Sequence, residues 1–189
     1  MTPLQQLYSD WRDCQRCHLA EGRKNVCMVR GSVPCDVLFV GEAPGHSEDV
    51  FGIPMIGPAG KLQDDIIAEA VPEGVRWAIA NVVGCCPVGE DGRKVTKPDD
   101  VAVQKCSPRL RAIVELCDPK LIVCLGEVAQ HHLMTGRYVR IELHREVPTI
   151  HTVHPAAIGR ANIAQQGLMF QRAVVQVRNA VEEHVLGSN

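Results

Sequence analysis

The sequence predicts an α/β fold, a three-layer α/β/α domain with a four-stranded parallel central sheet, occupying residues 1–189 as one unit. Four short runs rich in β-formers (37–40, 77–80, 121–125 and 149–153) are continuous rather than alternating in apolar character, the pattern of strands covered on both faces. Helically spaced apolar residues separate the first three runs, which implies right-handed crossovers. With 189 residues and 46% apolar content, the chain can bury one sizeable core and is short for two domains.

In chain order, Thr2-Pro3-Leu4-Gln5 reads as a capping box with proline at the first helical position. Leu4, Leu7, Tyr8 and Trp11 continue at helical spacing and deliver the chain to Cys14 and Cys17. Residues 22–34 show no period and are expected as loop or irregular hairpin. The first crossover helix carries Leu62, Ile66 and Ala70, and the second carries Leu110, Ile113, Val114 and Cys117. A helix starting near Glu127 and an edge-like stretch from Tyr138 to Leu143 precede the fourth strand; Phe170, Val174, Val177 and Val181 mark a closing helix.

A net charge of -2 excludes a non-specific nucleic-acid coat, so any DNA contact must be local. No apolar run reaches the roughly 18 residues of a membrane span, and no leader pattern is visible. A soluble, cytoplasmic monomer is expected, and in such a reducing compartment nine cysteines suit metal or cluster ligation better than disulfides.

Chemistry concentrates just after the strands. Gly41-Glu42-Ala43-Pro44-Gly45, Asn81, Gly126-Glu127 and His154-Pro155 each follow one, and ligands of open α/β sheets bind outside those carboxyl ends. The glycine- and proline-rich loop from Gly41 to Gly60 implies close approach of backbone to a ligand. Asn81 offers one acceptor and two donors on a single edge, as a nucleobase requires, although an asparagine in a strand-end turn can also bond its own backbone. Glu48 and Asp49, taken alone, equally fit a solvated face.

The ordered set Gly41-Glu42-Ala43-Pro44-Gly45, Glu48-Asp49, Gly52-x-Pro54, Gly57-x-Ala59-Gly60, Asn81-Val82-Val83-Gly84-Cys85, Cys106-Ser107-Pro108, Gly126-Glu127-Val128-Ala129 and His154-Pro155 resembles the thermophile-type, or family 4, uracil-DNA glycosylases. The resemblance implies a monofunctional DNA glycosylase that hydrolyses the N-glycosidic bond of a flipped-out pyrimidine and leaves an abasic site. Its DNA would contain uracil or a modified pyrimidine.

By the same resemblance, His154 donates to the pyrimidine O2, Asn81 reads the base, and Met55, Gly41, Ala43, Pro44 and Gly45 complete the base pocket. Glu42 and Glu48 become candidates for orienting water, because Ala43 stands where better-known uracil glycosylases supply an aspartate. Pro155, Ile158 and Arg160 are expected to contact DNA, with Ile158 as the wedge filling the vacated stack. Arg137, Arg140, Arg145 and Arg160, with His144 and His151 among them, form a candidate phosphate-facing strip, diluted by Glu142 and Glu146.

Cys14, Cys17, Cys85 and Cys106 match the four ligands of the family's [4Fe–4S] cluster; spacing alone equally allows tetrahedral zinc. Two departures matter. Met55 replaces the family's base-stacking phenylalanine, which opens the alternatives of a glycosylase for bulky hypermodified phage pyrimidines or a non-catalytic binder of damaged DNA. Cys86 stands where the family often has arginine, and it has no assigned role.

Overall fold

All four expected strands form and run parallel in a computed structural model that describes residues 1–89, 94–136 and 146–187. They are β2 (Val37–Gly41), β3 (Trp77–Asn81), β4 (Leu121–Leu125) and β5 (Thr149–Thr152). The sheet nevertheless has five strands and is mixed, because a two-residue β1 (Arg30–Gly31) pairs antiparallel with β3 within the segment expected as loop or hairpin. The order is β1-β3-β2-β4-β5. Two residues are too few to leave a period in the sequence, which is why β1 was not legible.

Continuous apolar strands have a simple consequence here, since alternate residues supply two separate cores. Leu38, Val40, Ala78, Ala80, Ile122 and Cys124 face one layer, with α1 (Pro3–Trp11) and α4 (Asp100–Cys117). Val37, Phe39, Ile79, Leu121, Val123 and Leu125 face the other, with α3 (Pro58–Ala70) and α7 (Ile163–Val181). Short helices α2 (His46–Phe51), α5 (Glu127–Met134) and α6 (Pro155–Arg160) fill the strand exits.

Local chemistry sets the helix ends. The Thr2–Gln5 capping box closes with reciprocal bonds of 3.2 and 2.8 Å, satisfying amides that α1 cannot pair internally. Within α4, Pro108 cannot donate to the Gln104 carbonyl, and the Ser107 hydroxyl donates to it instead at 2.9 Å. The Asn162 side chain caps α7 through the Gln165 amide at 3.0 Å.

No helix among the described residues is long and apolar enough to cross a membrane. The expected edge-like stretch from Tyr138 to Leu143 lies outside the described residues, as do Arg137, Arg140, Glu142, His144 and Arg145 of the candidate strip.

Candidate active site at the strand ends

From β2 the chain first adds β3 on one side and later β4 on the other, so the sheet order reverses at β2 and the loops beyond it splay apart. A cavity of about 950 Å³ opens there. The loops after β2, β4 and β5 form its walls, through Glu42, Ala43, Gly45, Gly126 and His154.

The glycine-rich loop is held by two carboxylates that turn inward. Glu48 accepts amides from Gly45 at 3.1 Å, Ile56 at 3.0 Å and Gly57 at 2.9 Å. Asp49 accepts the Lys24 amide at 3.0 Å and, more weakly, that of Asn25 at 3.4 Å. Both are buried, so neither belongs to a solvated face. Glu48 shapes the loop and spends its lone pairs on backbone, which leaves it little capacity to orient water.

Asn81 ends β3 with its carboxamide 2% exposed and neither polar atom partnered among the described residues. Leaving one such buried atom unpaired costs about 1–3 kcal/mol, and no strand-end turn engages this carboxamide among the described residues. Asn81 does not reach the cavity wall, however; Met55 does. Both side chains converge on the bare α-carbon of Gly41: a β-carbon there would lie 2.6 Å from Asn81 Oδ1 and 3.3 Å from the Met55 methyl. Met55 is also held at φ 53, a left-handed conformation that costs a side-chain-bearing residue roughly 1–2 kcal/mol. Pro44 is buried, while Ala43 and Gly45 reach the cavity.

His154 is placed from both ends. Its Nδ1 accepts the Ala156 amide at 3.1 Å, which assigns the ring proton to Nε2 in the neutral form. Burial, followed by the positive charge of Arg160, pushes the imidazole down to about 4, so the neutral donor persists through ordinary pH. Gly126, at φ 85, brings β4's exit close; a β-carbon there would sit 2.9 Å from the His154 β-carbon. Glu42 is half-buried on the same cavity, and burial raises its carboxyl above the usual carboxylate range despite Lys97 and Arg160 nearby.

Two expected DNA contacts lie elsewhere. Pro155 is the buried first residue of α6, where its missing amide hydrogen costs nothing. Ile158 is 1% exposed and packs in the core with Met55, Ile66 and Val174, so it cannot enter a base stack. A six-residue helix turns it inward and leaves Ala156 and Ala157 on the wall. Arg160 and His151 do reach the cavity.

On the far side of β3's exit, Cys14, Cys17, Cys85 and Cys106 line one small recess, edged by Arg16, Arg23 and Lys105. Cys14 and Cys17 follow α1, which Leu7 and Trp11 anchor in the core, and Cys106 projects from α4. No three His, Cys, Asp or Glu side chains among the described residues are spaced to hold a single ion.

Sequence reasoning missed several groups. Thr96 and Lys97 reach the cavity from the loop before α4, and Arg172 and Gln176 reach it from α7. These lie far from the strand-end motifs, although the α7 pair could have been found at helical spacing. Arg109, wholly buried in α4, was missed because three of its four acceptors come from two distant parts of the chain, Cys27 and the Asn81–Val82 pair, and the fourth is Cys106.

Comparison with known proteins accords with this geometry. A family model described as the uracil DNA glycosylase superfamily matches residues 29–178. The chain is 31% identical over 172 residues to the type-4 uracil-DNA glycosylase of Sulfurisphaera tokodaii, covering 83% of this chain and 76% of that one. It is 32% identical over 157 residues to the type-4 uracil-DNA glycosylase of Thermotoga maritima, covering 79% of each. The crystal structure of wild-type Pedobacter heparinus SMUG2 shares the fold, with a TM-score of 0.54 at 15% identity over 78% of this chain and 76% of that one. The chain belongs to the uracil DNA glycosylase superfamily.

Proposed function

We propose that this DNA glycosylase hydrolyses the N-glycosidic bond of a pyrimidine extruded from DNA, uracil or a modified pyrimidine, and leaves an abasic site. The observation that carries the reading is the buried carboxamide of Asn81, without a partner among the described residues, beside Gly41 and Met55 at the edge of a cavity that presents the His154 imidazole. Asn81 supplies the donor and acceptor that a pyrimidine edge pairs with, once the flexible Met55 side chain turns aside. Lys97, Arg160 and Arg172 on the cavity supply local positive charge for phosphates, which a chain of net charge -2 otherwise lacks.

Bond cleavage moves the glycosidic electron pair onto the base, and the Nε2–H of His154 stabilises the charge arriving on O2. Water adds to the sugar carbon left behind, and the proton it releases passes through solvent to the departed base anion, leaving a neutral base and an abasic sugar. Glu42, a half-buried carboxylate on the cavity wall, orients that water. Glu48 contributes by fixing the loop that carries Glu42 and Ala43.

The cysteine recess suits a [4Fe–4S] cluster. Four thiolates around one hollow offer a ligand to each iron, and Arg16, Arg23, Lys105 and Arg109 offset the negative charge of such a centre. Bound there, the cluster supplies a cross-link between the amino-terminal helix, the exit of β3 and α4.

A second reading is favoured by the cavity, whose size lies at the upper end of the range of about 300–1,000 Å³ for small-molecule sites, and by Met55 in place of a ring. It holds that the preferred base is bulky, such as a hydroxymethylated or glucosylated pyrimidine of phage DNA. Side-by-side excision assays with uracil and these bases test it; efficient cleavage of uracil alone refutes the bulky-base reading. Loss of all excision in Asn81→Asp with iron retained supports the site assignment, and unchanged excision in that variant refutes it.

A further inference from the structure

Arg109 is 0% exposed, and no carboxylate among the described residues pairs with its charge. A guanidinium cannot shed its proton to escape burial, so its bonds must offset the lost water. Its Nε donates to Cys106 Sγ at 3.2 Å, Nη1 to the Cys27 carbonyl at 3.1 Å, and Nη2 to the carbonyls of Asn81 at 2.5 Å and Val82 at 3.4 Å. One rigid planar fork thus joins a sulfur of the cysteine recess to the backbone of the residue whose side chain waits at the pocket.

The surroundings are shaped for that fork. A β-carbon on Gly84 would lie 2.8 Å from Arg109 Nε and 3.1 Å from its Cδ, so only glycine leaves room. The Gly84 amide donates to the same Cys106 sulfur at 3.3 Å, and its carbonyl accepts the Cys27 amide at 2.7 Å. Cys27 in turn donates its thiol to the Glu48 carbonyl at 3.2 Å, at the start of the loop clamp. An apolar side chain in α4 would fill the volume but leave the Asn81 and Cys27 carbonyls without this donor.

We infer that Arg109 is a positioning residue, a buried guanidinium that couples the cysteine quartet to the base-reading carboxamide by fixing the Asn81 carbonyl and Cys106 sulfur in one frame. The inference rests on the proposed roles of Asn81 and Cys106. It assigns the cysteine recess a part in setting the pocket, in addition to holding the amino-terminal helix. Arg109 touches neither base nor sugar and acts through Asn81.

The test compares Arg109→Met, Arg109→Lys, Gly84→Ala and Asn81→Ala in protein purified with its iron, on a duplex carrying whichever altered pyrimidine the parent excises fastest. Arg109→Met should retain iron and shift the visible absorption of the cluster, because a bond to one ligand sulfur is gone. Its single-turnover rate should fall by about ten-fold or more with KM changed less than about two-fold, and Arg109→Lys should recover part of the rate. Combined with Asn81→Ala, it should add less than about three-fold to the loss from Asn81→Ala alone.

An unshifted spectrum or a fully multiplicative double variant overturns the coupling. If Arg109→Met does not fold, Arg109→Lys and Gly84→Ala carry the same two readouts, the latter by crowding Nε. A large loss in Asn81→Ala with no loss in the Arg109 variants overturns the coupling and spares the base-reading assignment. No loss in Asn81→Ala, or no excision by the parent of any pyrimidine, overturns both.

Discussion

Replacing His154 by alanine separates two effects that the proposed function places on one ring. With Nδ1 held by the Ala156 amide, the Nε2–H is already aimed and needs no reorganisation as the base departs. A preorganised donor of this kind contributes roughly 3–4 kcal/mol, so single-turnover excision by His154→Ala should fall by about 10²–10³-fold. The same change should alter stability with pH. Because burial lowers the folded pKa from 6.5 to about 4, the unfolded chain binds the extra proton between those values. The parent therefore loses stability as pH falls from 6.5 toward 4, by up to roughly 3 kcal/mol, and keeps it in full above 6.5. His154→Ala should flatten that part of the curve. Single-turnover kinetics at saturating enzyme and urea melts from pH 4 to 8 measure both. A rate loss under about ten-fold, or a parent rate falling with a midpoint near 6.5 that His154→Ala abolishes, would refute the neutral-donor assignment.

Three further outcomes are expected. Glu42→Gln should slow excision by about 10²-fold while leaving melting nearly unchanged, and the acid limb it removes should lie above the ordinary carboxylate range, as burial of Glu42 dictates; a pH–rate profile checks both. Met55→Phe should improve uracil excision by restoring a stacking surface worth about 1–3 kcal/mol and should reduce excision of bulkier pyrimidines, which a competition assay between the two substrates reads out. Ile158→Ala should destabilise the fold by about 2–5 kcal/mol in urea and slow excision equally on single- and double-stranded DNA, because the side chain lies in the core and not against a base stack.

Much of the fold was legible because burial on both faces writes itself into consecutive apolar residues: β2, β3, β4 and β5 all appear as such runs, and the Thr2–Gln5 box marks the first helix. The crevice was legible for a related reason, since parallel strands must present their carboxyl ends together, and Gly41, Asn81, Gly126 and His154 lie at or just beyond those ends. What remained hidden depends on partners distant in sequence. Glu48 and Asp49 look like surface acids until the amides of Gly57 and Lys24 are brought to them. Ile158 looks like a loop-tip residue until a single helical turn buries it, and Arg109 looks like one charge on an amphipathic helix until Asn81, 28 residues earlier, accepts from it. Asn81 was found at the right strand end but one layer deeper than expected, because the chemistry of Met55 does not reveal which way its side chain lies.

A panel of oligonucleotides, each with one altered pyrimidine and heated in alkali after incubation, tests the shared site of Asn81 and His154 most directly. Strand breaks at one or more pyrimidines with the parent protein, and their disappearance in both Asn81→Asp and His154→Ala with iron content unchanged, are the predicted result. Breaks that persist undiminished in either variant, or a parent protein that binds these DNAs and breaks none, would contradict it.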